Sequence, residues 1–185
     1  MRNPKSLLSL VAWLLMVSAG SALAQMPPAP KPGPEQALLK RDVGVWDATV
    51  EMQGPPGTPA GVSKGTETVS MTCGGLWQVT EFKGEMMGQP FEGRGTTGFD
   101  ANKKKYVGTW VDSMTTGLAL VEATHDPAKN QMTGTMEAPD PTGAIGKMKQ
   151  VMEWKDADNR IFTMFMTGPD GKEVQAMKIT YKRRK

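Results

Sequence analysis

The 185-residue sequence is poor in the residues that carry most enzyme chemistry. It has one cysteine, Cys73, and one histidine, His125. A single thiol forms no internal disulfide, so the fold must hold by its packed core. One His and one Cys supply neither a His-rich nor a Cys-rich site, so no metal is expected. Past residue 24 only three serines remain: Ser63, Ser70 and Ser113. Ser113 and His125 fall at opposite ends of expected strands, about 25 Å apart at ~3.3 Å per residue, too far for a nucleophile and its base. Cys73 and His125 fall at the same end, but no motif joins them. No second residue supports a haem on His125. Neither a catalytic residue nor a cofactor is expected.

Leucine and isoleucine are also scarce. Past residue 24 there are 5 Leu and 3 Ile, against 18 Thr and 11 Val, and Gly plus Pro make 33 of 161 residues. A helical bundle needs Leu and Ala and shuns Gly, so it is excluded. A doubly wound α/β fold is disfavoured, and many short strands joined by turns remain. No long hydrophobic run is present either. The apolar stretch Leu7–Val17 has 11 residues, too few to span a bilayer.

That stretch follows Arg2 and Lys5 and precedes Ala22-Leu23-Ala24. A positive start, a short apolar run and a small-x-small site predict a secretory signal over Met1–Ala24, cleaved after Ala24. The mature protein is then exported, periplasmic or secreted, with no membrane span. Loss of Arg2 and Lys5 lowers the net charge from +3 to +1. The basicity is therefore no nucleic-acid footprint, and no nucleic-acid partner is expected. Lys103-Lys104-Lys105 and Lys182–Lys185 read as a solvated turn and a chain end.

Residues 25–34 (QMPPAPKPGP) read as a Pro-rich linker, and Glu35–Arg41 as about two helical turns. Ten strands follow: Trp46–Gln53, Thr66–Thr72, Leu76–Met86, Phe91–Asp100, Lys105–Ser113, Gly117–His125, Gln131–Ala138, Lys147–Trp154, Arg160–Thr167 and Glu173–Lys182. Gly168-Pro169-Asp170-Gly171 is a hairpin turn in which Pro presets φ and Gly takes the positive φ. Gly54–Gly65 reads as a longer loop. Ten strands with short connections make an antiparallel meander, and closure removes its costly edges. The expected fold is all-β, a ten-stranded meander barrel over residues 35–185 with a short plugging helix. Barrels of this size enclose a ligand cavity.

Two groups of motifs sharpen this. Gly44-Val45-Trp46, after the helix and opening the first strand, resembles the Gly-x-Trp signature of the lipocalin and calycin group. That resemblance implies a Trp packed at the closed end against a basic residue of the last strand, Lys182 or Arg183. The run Gly84–Gly95, then Gly98-Phe99-Asp100, Lys105–Met114, Gly168–Glu173 and Ile179-Thr180-Tyr181 resembles bacterial domain-of-unknown-function family 1579. It implies an exported lipocalin-like barrel and brings no catalytic residues.

The helix-plugged end has tight, charged turns, while the other end has Gly-, Pro- and Met-rich loops. The mouth is expected at the second end. A small hydrophobic or amphipathic molecule is the expected partner. Trp77, Trp110, Met152 and Phe165 would line its cavity, and Glu81, Arg94 or Asp112 would orient a polar group. A second reading makes the protein a hydrolase or isomerase using an interior carboxylate: Glu81, Asp112 or Glu122. A third takes the barrel as a platform that forms a homodimer through Arg160–Thr167, a strand apolar on both faces. The thirteen methionines past residue 24 would suit Cu(I), but their scatter fits adaptable apolar filling better.

Overall fold

The computed structural model describes residues 28–54, 61–139, 143–168 and 170–185. The expected signal Met1–Ala24, the start of the linker and Pro169 lie outside them. Lys31–Lys185 form one compact unit. Its elements are helix α1 (Pro34–Lys40) and ten strands: β1 (Gly44–Met52), β2 (Gly61–Thr72), β3 (Trp77–Met86), β4 (Gln89–Asp100), β5 (Lys105–Asp112), β6 (Ala119–Asp126), β7 (Gln131–Pro139), β8 (Ile145–Trp154), β9 (Asn159–Thr167) and β10 (Glu173–Arg183). Each strand pairs antiparallel with the next, and β1 also pairs with β10, Val50 opposite Ile179, which closes the barrel. Among the described residues no helix is long and apolar enough to cross a membrane.

All ten strands fall where the sequence places them, with ends shifted by a few residues. The largest shift is in β2. Residues 61–65, expected in a loop, pair with residues 48–52 of β1. Gly61, Ser63, Lys64 and Gly65 have weak strand preference, but pairing to a long neighbour overrides it. Gly65 also fits because the Phe82 ring lies over it: a Cβ there would be 2.7 Å from Phe82 Cε1.

The two ends are built differently. At the plugged end Asp side chains shape the turns. Asp100 Oδ1 accepts from the Asn102 and Lys103 amides, and Asp126 Oδ1 from those of Ala128 and Lys129. These short Asx turns need no glycine. At the other end Met87 and Gly88, both at positive φ (51° and 75°), form the two-residue loop between β3 and β4. Both central residues of a type I′ turn require that conformation.

Helix α1 starts on Pro34, where the absent N–H would have no helical partner. The Gly33 amide donates to Gln36 Oε1, 2.8 Å away. The helix packs against β3 and β4. Its buried Leu39 joins Tyr106 and Ala123, and its carbonyl accepts from Gln78 Nε2 at 2.9 Å. The barrel is thereby stoppered. The main core lies beside the plug, where Trp46, Ala48 and Val50 of β1 meet Val69, Phe82, Phe91, Ile179 and Tyr181.

Candidate functional site

Alternation along each strand gives the barrel an inner face, and that face is not filled. The barrel encloses a cavity of about 530 Å³, within the range of small-molecule pockets. Eleven methionines line it. Met52, Met86, Met87 and Met114 come from the β1–β5 side, Met132, Met136, Met148 and Met152 from β7 and β8, and Met164, Met166 and Met177 from β9 and β10. The pairing explains the gathering. Met132 faces Met152, Met136 faces Met148, and Met177 faces both Met52 and Met164 across neighbouring strands. Residues scattered in sequence thus converge as one thioether-rich wall, unbranched and able to repack around different shapes. Three of these methionines, Met87, Met114 and Met166, are also exposed and carry the wall to the mouth.

The floor is polar. Asp42, just after α1, Glu67 of β2 and Arg160 of β9 are 5%, 6% and 2% exposed. Arg160 Nη1 lies 2.9 Å from Asp42 Oδ2, and Nη2 is bonded to Glu67. Asp42 Oδ1 also accepts from Trp154 Nε1, and its carbonyl from Trp46 Nε1, each at 2.8 Å. The Arg160 guanidinium lies 4.2 Å from the centre of the Trp46 ring and 4.6 Å from that of Tyr181. Burial pushes the Glu67 carboxyl above the usual range, against the pull of Arg160. Burial also pushes the Tyr181 phenol well above its ordinary value, so it stays protonated. Isolated charges here would cost several kcal/mol each, roughly, so the cluster persists only because each is paired.

The basic partner expected for Trp46 is Arg183 rather than Lys182. Its guanidinium sits 4.1 Å from the ring centre and donates to the carbonyls of Val43 (2.6 Å) and Arg41 (2.7 Å). Arg160 is the second cation on this ring. Sequence reasoning missed Arg160, Asp42 and Glu67 because a charge at a strand end normally signals solvent. The available signal was parity: Arg160 alternates with Phe162 and Met164, which line the cavity.

Of the residues expected to line the cavity, Trp110, Asp112 and Met152 do so; Trp77, Glu81, Arg94 and Phe165 do not. The last four stand on the outer face. On β3 both faces carry apolar residues, and it is Gln78, Thr80 and Phe82 that point inward. Trp77 lies outside over Gly98, where a Cβ would be 2.6 Å from Trp77 Cε3. Glu81 and Arg94 are direct cross-strand partners and form an ion pair outside. Phe165 lies outside beneath the Lys149 ammonium, 5.4 Å from its ring centre. On β9 the inner set is Phe162, Met164 and Met166. Glu122 is also outside, paired with Lys103 (2.5 Å) and Lys105 (2.8 Å), which pull its carboxyl down to about 2. The interior-carboxylate reading therefore loses Glu81 and Glu122 and keeps Asp112.

Cys73 is exposed in the β2–β3 turn. The His125 ring meets Trp154 edge-on, 5.9 Å between centres, and its buried Nε2 has no hydrogen-bond partner among the described residues. Burial and nearby Arg41 lower its pKa. Among the described residues no three His, Cys, Asp or Glu side chains gather as a metal-ligand group.

Solved structures share this architecture at low identity. Rv2717c from M. tuberculosis is 10% identical with a TM-score of 0.62, covering 83% of this chain and 99% of that one. The S-type phycobiliprotein lyase CPES from Guillardia theta is 13% identical with a TM-score of 0.53, covering 83% of this chain and 99% of that one. At such identity the likeness concerns the fold alone. No curated protein matches the chain in sequence. A family model matches residues 31–183, nearly the whole barrel with its plug, and the chain belongs to that family, described as Protein of unknown function (DUF1579).

Proposed function

We propose that this protein is a non-enzymatic carrier that holds a small hydrophobic or amphipathic molecule inside its barrel. The observation that carries the reading is the methionine-lined cavity of about 530 Å³, open at one end and stoppered at the other. An apolar chain of a dozen or so carbons would exchange water for thioether and aromatic contacts along that wall, at about 25 cal/mol for each Å² of apolar surface removed from water. Trp110 and Met152 would contact the chain, and Asp112 would orient a polar group. The test is native mass spectrometry of the purified protein. A co-purified lipid-like mass, or stoichiometric uptake of a long-chain alcohol, is expected. Uptake of no apolar compound, with the barrel folded, would remove the reading.

The carrier acts outside the cytoplasm in this proposal. Residues 1–24 serve as the export signal, and the mature chain starts at Gln25. The support is the positively charged start, the short apolar run and the Ala-x-Ala site. Intact-mass measurement of the protein from its native host should give the mass of residues 25–185. A chain retaining Met1 in the cytoplasm would refute export.

A further inference from the structure

Apart from tyrosine phenols, four ionisable side chains line the cavity: three carboxyls (Asp42, Glu67 and Asp112) and one guanidinium, Arg160. Arg160 is already committed. Its Nη1 and Nη2 are bonded to Asp42 and Glu67, so two carboxyls face its single charge; its Nε is buried with no hydrogen-bond partner among the described residues. The cavity therefore presents no free cation, among the described residues, to an anionic head group.

Asp112 is different. It ends β5 at the mouth, and no cation is paired with it among the described residues. Its Oδ2 accepts from Trp110 Nε1 at 3.0 Å and its Oδ1 from the Met114 amide at 2.9 Å. Each oxygen keeps a further lone pair for a donor. The Trp110 ring stands beside it on the inner face, seated over Gly93 and Gly95. A carboxylate without a cationic partner, at the N–H edge of an indole whose uncovered face lines the cavity, is a setting that attracts an ammonium, through charge and through the ring quadrupole.

We propose, resting on the carrier reading above, that the ligand is a cation-headed amphiphile. Its ammonium sits at the mouth, donating to Asp112 and lying against the cavity-facing side of the Trp110 ring, and its alkyl chain runs down among the methionines. A fatty-acid carboxylate is the disfavoured ligand, because it would enter a cavity with more acids than bases.

The test compares dodecylamine, dodecanol and dodecanoate, each below its micelle threshold, by calorimetry on the mature protein near neutral pH. Dodecylamine should bind roughly ten times more tightly than dodecanol, the size of one hydrogen bond to a charged group. Dodecanoate should bind more weakly than dodecanol. Asp112→Asn removes the charge and keeps a carbonyl acceptor. It should abolish the preference of the amine over the alcohol, and an unchanged far-UV circular dichroism spectrum and thermal midpoint should show that the barrel is folded. Dodecanoate binding as tightly as dodecylamine, or an amine preference that survives in Asp112→Asn, overturns the inference and leaves the carrier reading standing. Failure of all three probes to bind overturns the carrier reading and the inference together. Non-specific attraction of amines is a small term, since the mature chain carries a net charge of only about +1.

Discussion

Arg160 and Asp42 form a buried charge pair, Nη1 to Oδ2 2.9 Å, that ties strand β9 to the residue just beyond the plugging helix. Asp42 also accepts from Trp154 Nε1. Asp42→Ala should leave a buried guanidinium half-paired and a buried indole N–H unpartnered. The expected loss is about 3–5 kcal/mol. Urea unfolding should show a lower midpoint with an unchanged slope. A midpoint within error of the parent's would mean that the plug is held by other contacts.

Glu67 makes stability depend on pH in a sense opposite to an ordinary ion-paired carboxylate. Its folded pKa is raised above 4.5 by burial. The folded state therefore holds its proton more tightly than the unfolded state does. That contribution is fully present below 4.5 and is lost as pH rises through the folded value. In Glu67→Gln the loss should vanish. Relative to the parent, the variant should gain stability as pH rises from about 4.5 through the folded value. Parallel stability curves over that range would contradict this assignment.

Glu122 shows the ordinary sense. Lys103 and Lys105 hold its carboxyl at about 2. Its contribution is present above 4.5 and is lost as pH falls from there through about 2. The pair is exposed, so salt should screen it. Carboxyl NMR should give a midpoint near 2 at low ionic strength, moving upward with added salt. A midpoint that ignores salt would argue for a shielded interaction instead.

Gly93 sets the width of the cavity at Trp110. A Cβ at this position would collide with the indole, 2.7 Å from Cη2 with another ring atom closer still. Gly93→Ala should push the ring toward the cavity and cost about 1–3 kcal/mol, as overpacking does. Long-chain alcohol uptake should fall in parallel, measured as the bound fraction in native mass spectra. Unchanged uptake would mean that the chain does not pass Trp110.

The fold was legible in the sequence for a simple physical reason. Thr- and Val-rich segments punctuated by Gly, Pro, Asn and Asp have few alternatives to short antiparallel strands, and ten of them without closure leave edges. The helix followed by Gly44-Val45-Trp46 marks the closed end. The inner and outer faces were less legible. Trp77 and Phe165 lie outside and Gln78 lies inside, because hydrophobicity alternates weakly where both faces of a strand pack against something. The Trp77 ring on Gly98 and the Glu81–Arg94 pair are products of register between β3 and β4, and register is a property of two strands at once.

By itself, then, the sequence determined the class of fold, the strand order and the plugged end, since these follow from local preference and from the impossibility of leaving edges bare. Tertiary structure decided the site. Closure brings β10, with β9 on its far side, against β1, so Met177 comes to lie between Met52 and Met164 although more than a hundred residues separate Met52 from the others. Closure also sets Asp42, Glu67 and Arg160 against one another. No segment of the chain contains those contacts, because a barrel's interior exists only once its last strand has met its first.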